Sequence, residues 1–134
     1  MNSQILIKIN NFVKGRLIEL FGILLVITGI FLLVSILSYS PSDPNFLYTP
    51  ENTNIKNIGG FYGSVISDFL LQSIGLVSLL VVLNLFNWGL TLISAKKISN
   101  FISKIFFAFA YIIFSTTFVN IYYNDSFWLI DNGN

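Results

Sequence analysis

The chain of 134 residues contains no cysteine and no histidine. The first absence excludes disulfides and thiol nucleophiles, and the second removes the commonest general base and metal ligand. Charge is scarce as well: 10% of residues are charged, seven basic and six acidic, for a net charge of +1. The bases are scattered and form no stripe that would track a phosphate backbone, so this segment is not expected to hold DNA itself. No glycine-rich loop ending in Gly-Lys-Ser or Gly-Lys-Thr occurs, and neither paired carboxylates nor a nucleophile with its base can be assembled. These gaps argue against an enzyme.

What the chain does have is apolar surface. Its hydrophobic content is 54% and its mean hydropathy +0.78, where soluble domains run at about 45–50% apolar and about 25% charged. A hydrocarbon core about 30 Å thick needs about 20 apolar residues in a helix. Residues 17–37 supply one such run, with Glu19 near its start, and residues 105–123 supply another without any charge. Between them, residues 61–94 carry only Asp68, and that stretch is too long for one upright span and too short for two with a turn.

The bases decide how the middle stretch divides. Lys8, Lys14 and Arg16 precede the first run with no acid beside them, while the following loop holds Asp43, Glu51 and Lys56. Lys96, Lys97 and Lys104 crowd the next connection, and the tail carries Asp125 and Asp131 and no base. By the positive-inside tendency the N-terminus is cytoplasmic, and only one span fits between the acidic loop and the lysine-rich one. Trp88 then falls near the cytoplasmic interface, and Tyr122, Tyr123 and Trp128 read as an aromatic belt at the other. The expected fold is an all-α integral membrane protein with three transmembrane helices and a short amphipathic helix. Its segments are a basic cytoplasmic N-terminus (1–16), a first span (17–38), an extracytoplasmic loop (39–60), an amphipathic helix (61–73) leading into a second span (74–94), a basic cytoplasmic loop (95–104), a third span (105–123) and an extracytoplasmic tail (124–134). The first run exceeds the 7–15 residues typical of a signal h-region, and Ser38-Tyr39-Ser40 is followed at once by Pro41, so the run is expected to be a retained anchor.

Few residues are candidates for specific work. Pro41 and Pro44 end the first helix, because proline lacks an N–H and disfavours helix in the residue before it. Ser64, Asp68 and Gln72 recur every four residues on one helical face, giving a helix that lies on the outer leaflet or forms the polar first turns of a tilted span. Asp68 is read foremost as part of a wetted polar face, then as a contact between helices, and least as part of an ion path. Gly59 and Gly63 have the small-xxx-small spacing that lets helices approach, although their place at a helix start favours a turn. Gly22 and Gly29, on one face of the first span, are better placed for close packing. Asn84 and Asn120 lie at membrane depth, where an amide calls for a bond from another helix. Ser115, Thr116 and Thr117 can bond to their own preceding turn, so they argue little for a partner. Asn124-Asp125-Ser126 matches a glycosylation sequon, a weak signal.

Leu37-Ser38-Tyr39-Ser40-Pro41-Ser42-Asp43-Pro44, Asn57-Ile58-Gly59-Gly60-Phe61-Tyr62-Gly63, Ser67-Asp68-Phe69-Leu70-Leu71-Gln72-Ser73-Ile74-Gly75 and Trp88-Gly89-Leu90 together resemble the N-terminal four-helix membrane region of the bacterial FtsK/SpoIIIE DNA translocases. Specific motifs cover roughly residues 15–95, and the rest is compatible in hydropathy. The resemblance implies a multi-pass anchor of the inner membrane at the division septum, joined by a long linker to a cytoplasmic hexameric motor that moves chromosomal DNA in cell division and chromosome segregation. ATP and Mg belong to that motor, so no cofactor is expected in this chain, and DNA would be met only through the motor. Membrane lipid, further copies of the chain in a homo-oligomer and other division proteins are the expected partners. The family has four spans and only three are found here, so the chain is expected to be a partial product that stops before the fourth. A lesser reading is a fragment of a small transporter or channel lining a path with Asp68, Asn84 and Asn120, although no internal repeat supports it.

Overall fold

The computed structural model describes residues 3–47, 54–95 and 100–122, and every regular element within them is helical. Gln4–Leu37, Gly60–Ala95 and Ile102–Tyr122 are long and apolar enough to cross a membrane, in agreement with the all-α membrane class and the three spans read from the sequence. Glu51, Lys96, Lys97, Tyr123, Trp128, the acidic tail and the sequon at Asn124 lie outside the described residues.

Helix α1 runs unbroken from Ser3–Leu37, 35 residues. It starts well before position 17, because the basic segment holds no proline and a single glycine, Gly15, to interrupt it. At 1.5 Å per residue it is about 52 Å long, against about 30 Å of hydrocarbon. Its end is set locally. Ser38 N bonds Val34 O at 3.0 Å, the next bond tightens to Tyr39 N and Ile36 O at 3.3 Å, and Pro41 then prevents continuation.

Helix α2 (Gly60–Ile74) and helix α3 (Ser78–Ala95) form one span broken by a single 3-10 turn, Gly75–Val77. The break falls at Gly75, whose φ of 57° with ψ of −142° is a conformation that a side chain strongly disfavours. Helix α4 (Phe101–Tyr122) follows Asn100, which adopts φ 54° and accepts the Lys104 amide at 3.0 Å. Helix α1 lies chiefly along α3 and secondarily along α2, while α4 rests lightly on α3 and the 3-10 turn.

The packing is inverted relative to a water-soluble domain. Ser35, Ser64, Ser67 and Ser78 are almost fully buried, whereas Phe106, Phe107, Phe114 and Ile121 stand outward. In lipid there is no hydrophobic drive between helices, so small residues that let backbones approach go inside and bulky apolar ones face the acyl chains. A small apolar core of Ile36, Leu71 and Val82, flanked by Leu32, Leu33, Tyr39, Leu70, Leu79 and Phe86, sits where α1, α2 and α3 meet.

Candidate functional site: a polar joint and a glycine crossing

The end of α1 leaves carbonyls without intrahelical donors. Because Tyr39 N turns to Ile36 O, Ser35 O needs another donor, and Asn57 Nδ2 supplies it at 2.8 Å. Ser38 Oγ donates to Val34 O at 2.7 Å and accepts Ile58 N–H at 3.0 Å. The two ends of the loop are tied by Asp43, whose Oδ1 accepts Lys56 N–H at 3.0 Å and whose Oδ2 accepts Asn57 N–H at 2.8 Å. Asp43 and Asn57 are each only 4% exposed, so this charge-assisted pair of bonds operates out of solvent.

Asn57 also starts the next element. Its Oδ1 accepts Gly59 N–H at 2.8 Å and its carbonyl accepts Gly60 N–H at 2.9 Å, closing the turn into α2. Nδ2 reaches Ser67 Oγ at 3.3 Å, and Ser64 Oγ lies 3.0 Å from Pro44 O and 2.9 Å from Phe61 O, its acceptors. There is no room for side chains at the crossing. A Cβ on Gly59 would stand 2.5 Å from Ser35 Oγ, and one on Gly63 would stand 2.5 Å from Asn57 Oδ1. Both glycines therefore serve close approach within the chain. Ser64, read from the sequence as the top of a wetted stripe, is buried instead, because residues 43–45 fold over that end of α2 and offer it the Pro44 carbonyl.

Asp68 is half-buried and bridges two elements: Tyr39 donates to its Oδ1 at 2.8 Å, and Gln72 Nε2 donates to its Oδ2 at 2.8 Å. Tyr39 lies beyond the end of the first membrane-length segment at Leu37. Burial first, then the bond to Asp68 and the Asp68 and Asp43 charges, push its phenol from the usual 10.0 up to about 12. A group whose pKa is higher folded than unfolded contributes stability that is intact below the unfolded value and is lost as pH climbs through the folded one. The stability advantage of the native chain over Tyr39→Phe in detergent is therefore expected to hold from pH 7 to about 10 and to vanish by about 12. Parallel melting curves across that range check it, and a constant advantage would contradict the joint as drawn.

A second close approach lies along α1 and α3. A Cβ on Gly22 would meet Gly89 O at 2.8 Å, and one on Gly89 would meet Val26 Cγ2 at 2.6 Å and Gly22 O at 2.8 Å. Gly29 is buried on the same face, yet its nearest neighbour, Leu85 Cβ, would be 3.5 Å away, an ordinary contact. Asn84, expected to bond to another helix, donates instead to Leu80 O of its own helix at 2.7 Å, since the carbonyl one turn back is always within reach. Asn120 is exposed on α4, and Thr116 and Thr117 donate to Ile112 O and Ile113 O. Asp68, Asn84 and Asn120 share no hydrogen bond.

Sequence reasoning did not single out Ser35, Tyr39, Asp43, Asn57, Ser67 or Gly89 for these contacts. Asp43, Asn57 and Gly89 stand inside the motifs that carry the family resemblance, but nothing in a linear string says that Asp43 meets Asn57 or that Gly89 meets Gly22. Among the described residues no group of three His, Cys, Asp or Glu is placed to hold a metal ion. What the arrangement supplies is rigidity: a hydrogen-bonded joint at one end of the α1–α2 pair and a backbone contact along α1 and α3.

Comparison with known proteins gives a consistent result. Residues 14–133 match the model of the family described as the 4TM region of DNA translocase FtsK/SpoIIIE. The chain is 34% identical over 88 residues to the DNA translocase FtsK of Azospirillum brasilense, covering 65% of this chain and 14% of that protein. It is 38% identical over 66 residues to that of Vibrio vulnificus, covering 49% and 7%, and 33% identical over 100 residues to that of Rickettsia prowazekii, covering 74% and 13%. The chain thus spans a small part of the length of the curated relatives it matches. No solved structure matches it significantly.

Proposed function

The chain belongs to the family of 4TM regions of the DNA translocases FtsK/SpoIIIE, and on that premise we propose that it anchors a DNA translocase in the bacterial plasma membrane and helps to gather its subunits at the division septum. The observation that carries this reading is the family match across residues 14–133, joined to three helices of membrane-spanning length. It is supported by a helical unit whose specific contacts are structural, with the family motifs spent on the α1–α2 joint and the Gly22–Gly89 crossing.

The N-terminus is cytoplasmic in this proposal. Lys8, Lys14 and Arg16 lie at the start of α1 and the Asp43 joint lies past its end, a distribution of bases that favours that orientation. Anchoring has a physical use in a DNA pump: confining motor subunits to one patch of membrane raises their effective concentration and favours assembly without any new contact. The relatives' names contribute DNA translocation; the motor's ATP and Mg and the roles in chromosome segregation and cell division belong to the proposal through the family resemblance of the motifs.

A fluorescent fusion tests it. The chain is expected to concentrate at the division site, and a version lacking residues 17–95, which keeps the apolar helix Ile102–Tyr122, is expected to spread evenly along the membrane. Unchanged septal fluorescence after that deletion, or even distribution of the intact chain around the membrane, would sink the reading.

A further inference from the structure

The first turns of α1 carry an apolar face that nothing in the described chain covers. At about 100° per residue, Ile5, Ile9 and Phe12, with Leu6 and Val13 beside them, share one side of the helix, while Gln4, Lys8 and Asn11 share the other. Of the apolar residues in this stretch only Ile7 falls outside that side. Every residue from Gln4 to Lys14 is exposed, Ile9 by 55% and Phe12 by 64%. The first acid of the chain is Glu19, and it pairs with Arg16 at 2.7 Å, so Lys8 and Lys14 have no acid beside them along the segment. About 20 residues of a helix cross a hydrocarbon core about 30 Å thick, and α1 has 35. Tilting α1 far enough to sink the surplus would take Lys8 and Lys14 into hydrocarbon as well, at a high cost. Gly15 stands between this segment and the span. A Cβ there would meet nothing within 4 Å, so it serves no close approach, unlike Gly22, and glycine is where a helix bends most readily.

We propose that residues 4–14 bind the surface of an anionic phospholipid leaflet, the one from which α1 enters the membrane, with Ile5, Ile9, Phe12 and Val13 seated among the headgroups and Lys8 and Lys14 against the lipid phosphates. The occupant follows from charge. Lys8 and Lys14 lie to either side of the apolar face, where their stems can run along it while the ammonium groups reach outward to phosphate oxygens. The same segment of a second copy would set positive charge against positive charge, with no acid in either to relieve it. A lipid surface is also already at hand, because the segment is continuous with a helix of membrane-spanning length, and tethering holds the two together at high effective concentration. The proposal goes beyond the anchoring reading: it gives the chain a binding site for lipid charge, and it needs only that the chain sits in a bilayer.

The absence of native cysteine makes the test direct. Ile9→Cys and Asn11→Cys, two residues apart on opposite sides of the helix, are introduced singly into the full chain. Each is placed at one chain per lipid nanodisc, which is open to water on both faces, with the lipid either wholly zwitterionic or containing phosphatidylglycerol. The rate of reaction with an uncharged, water-soluble maleimide is then compared. In anionic discs Asn11→Cys is expected to react on the order of tenfold faster than Ile9→Cys, and the gap is expected to close most of the way in zwitterionic discs, or when Lys8→Gln and Lys14→Gln are added in anionic ones. Equal rates at the two positions in anionic discs overturn the proposal. So does a gap of the same size in both lipids or one indifferent to the lysine changes, which is the result expected if another part of this chain covers the face. Septal placement plays no part in this measurement, so equal rates would leave the anchoring proposal standing, and dispersal of the fluorescent fusion would leave the lipid seat standing.

Discussion

Asn57→Ala is expected to destabilise the helical unit by about 3 kcal/mol or more, at one to three for each buried polar group left without its partner. The Asn57 side chain makes three bonds, to Ser35 O, Ser67 Oγ and Gly59 N–H, in a site 4% exposed. Its removal strands the Ser35 carbonyl at the end of α1 and the Gly59 amide at the start of α2 together. Asn57→Asp keeps an acceptor for Gly59 but loses the donor and sets a carboxylate against the Ser35 carbonyl, so it is expected to cost about as much as alanine. Ile58→Ala, next door and 77% exposed, is expected to stay within about 0.5 kcal/mol of the native chain. Melting of helical circular dichroism in one detergent ranks the three. Asn57→Ala melting with Ile58→Ala would remove Asn57 from its place at the centre of the joint.

The second large effect separates two kinds of buried glycine. Gly89→Leu is expected to force α1 and α3 apart at a cost of about 3 kcal/mol or more, above the usual range for overpacking because the obstacle is the Gly22 backbone, which cannot rotate away. Even Gly89→Ala meets that carbonyl at 2.8 Å, and the helix propensity gained, about 1 kcal/mol, does not offset it. Gly29→Ala gains the same propensity and meets nothing nearer than 3.5 Å, so it is expected to be neutral or to stabilise by up to about 1 kcal/mol. Two glycine-to-alanine changes within one helix pair should thus move the melting temperature in opposite senses. The same sign for both would mean that α1 and α3 do not approach closely at Gly22 and Gly89.

Membrane class, helix content and number of spans were legible because they depend on local sums: runs of apolar residues of bilayer length, and proline where the first helix must stop. The glycine break at Gly75 was less legible. The motif Gln72-Ser73-Ile74-Gly75 marks the region, yet a single glycine in a helical pattern is often tolerated, and only the backbone angles reveal that this one is not helical. Asn84 shows how a local bond enters as well. Depth in the membrane called for a partner, and the carbonyl one turn earlier takes one of the amide's donors.

The sequence by itself determined that this chain is a set of membrane helices, since its apolar runs reach bilayer length and hold almost no charge. Its motifs also determined the family. The tertiary structure decided what those motifs do: that Asp43 and Asn57 close the loop onto the end of α1, that Gly59 and Gly63 are empty so that Ser35 and Asn57 can fit against them, and that Gly22 faces Gly89. The reason is physical. Composition and periodicity act between neighbours along the chain, whereas hydrogen bonds across 14 or 22 residues and a backbone contact between two helices exist only once the chain has folded back on itself.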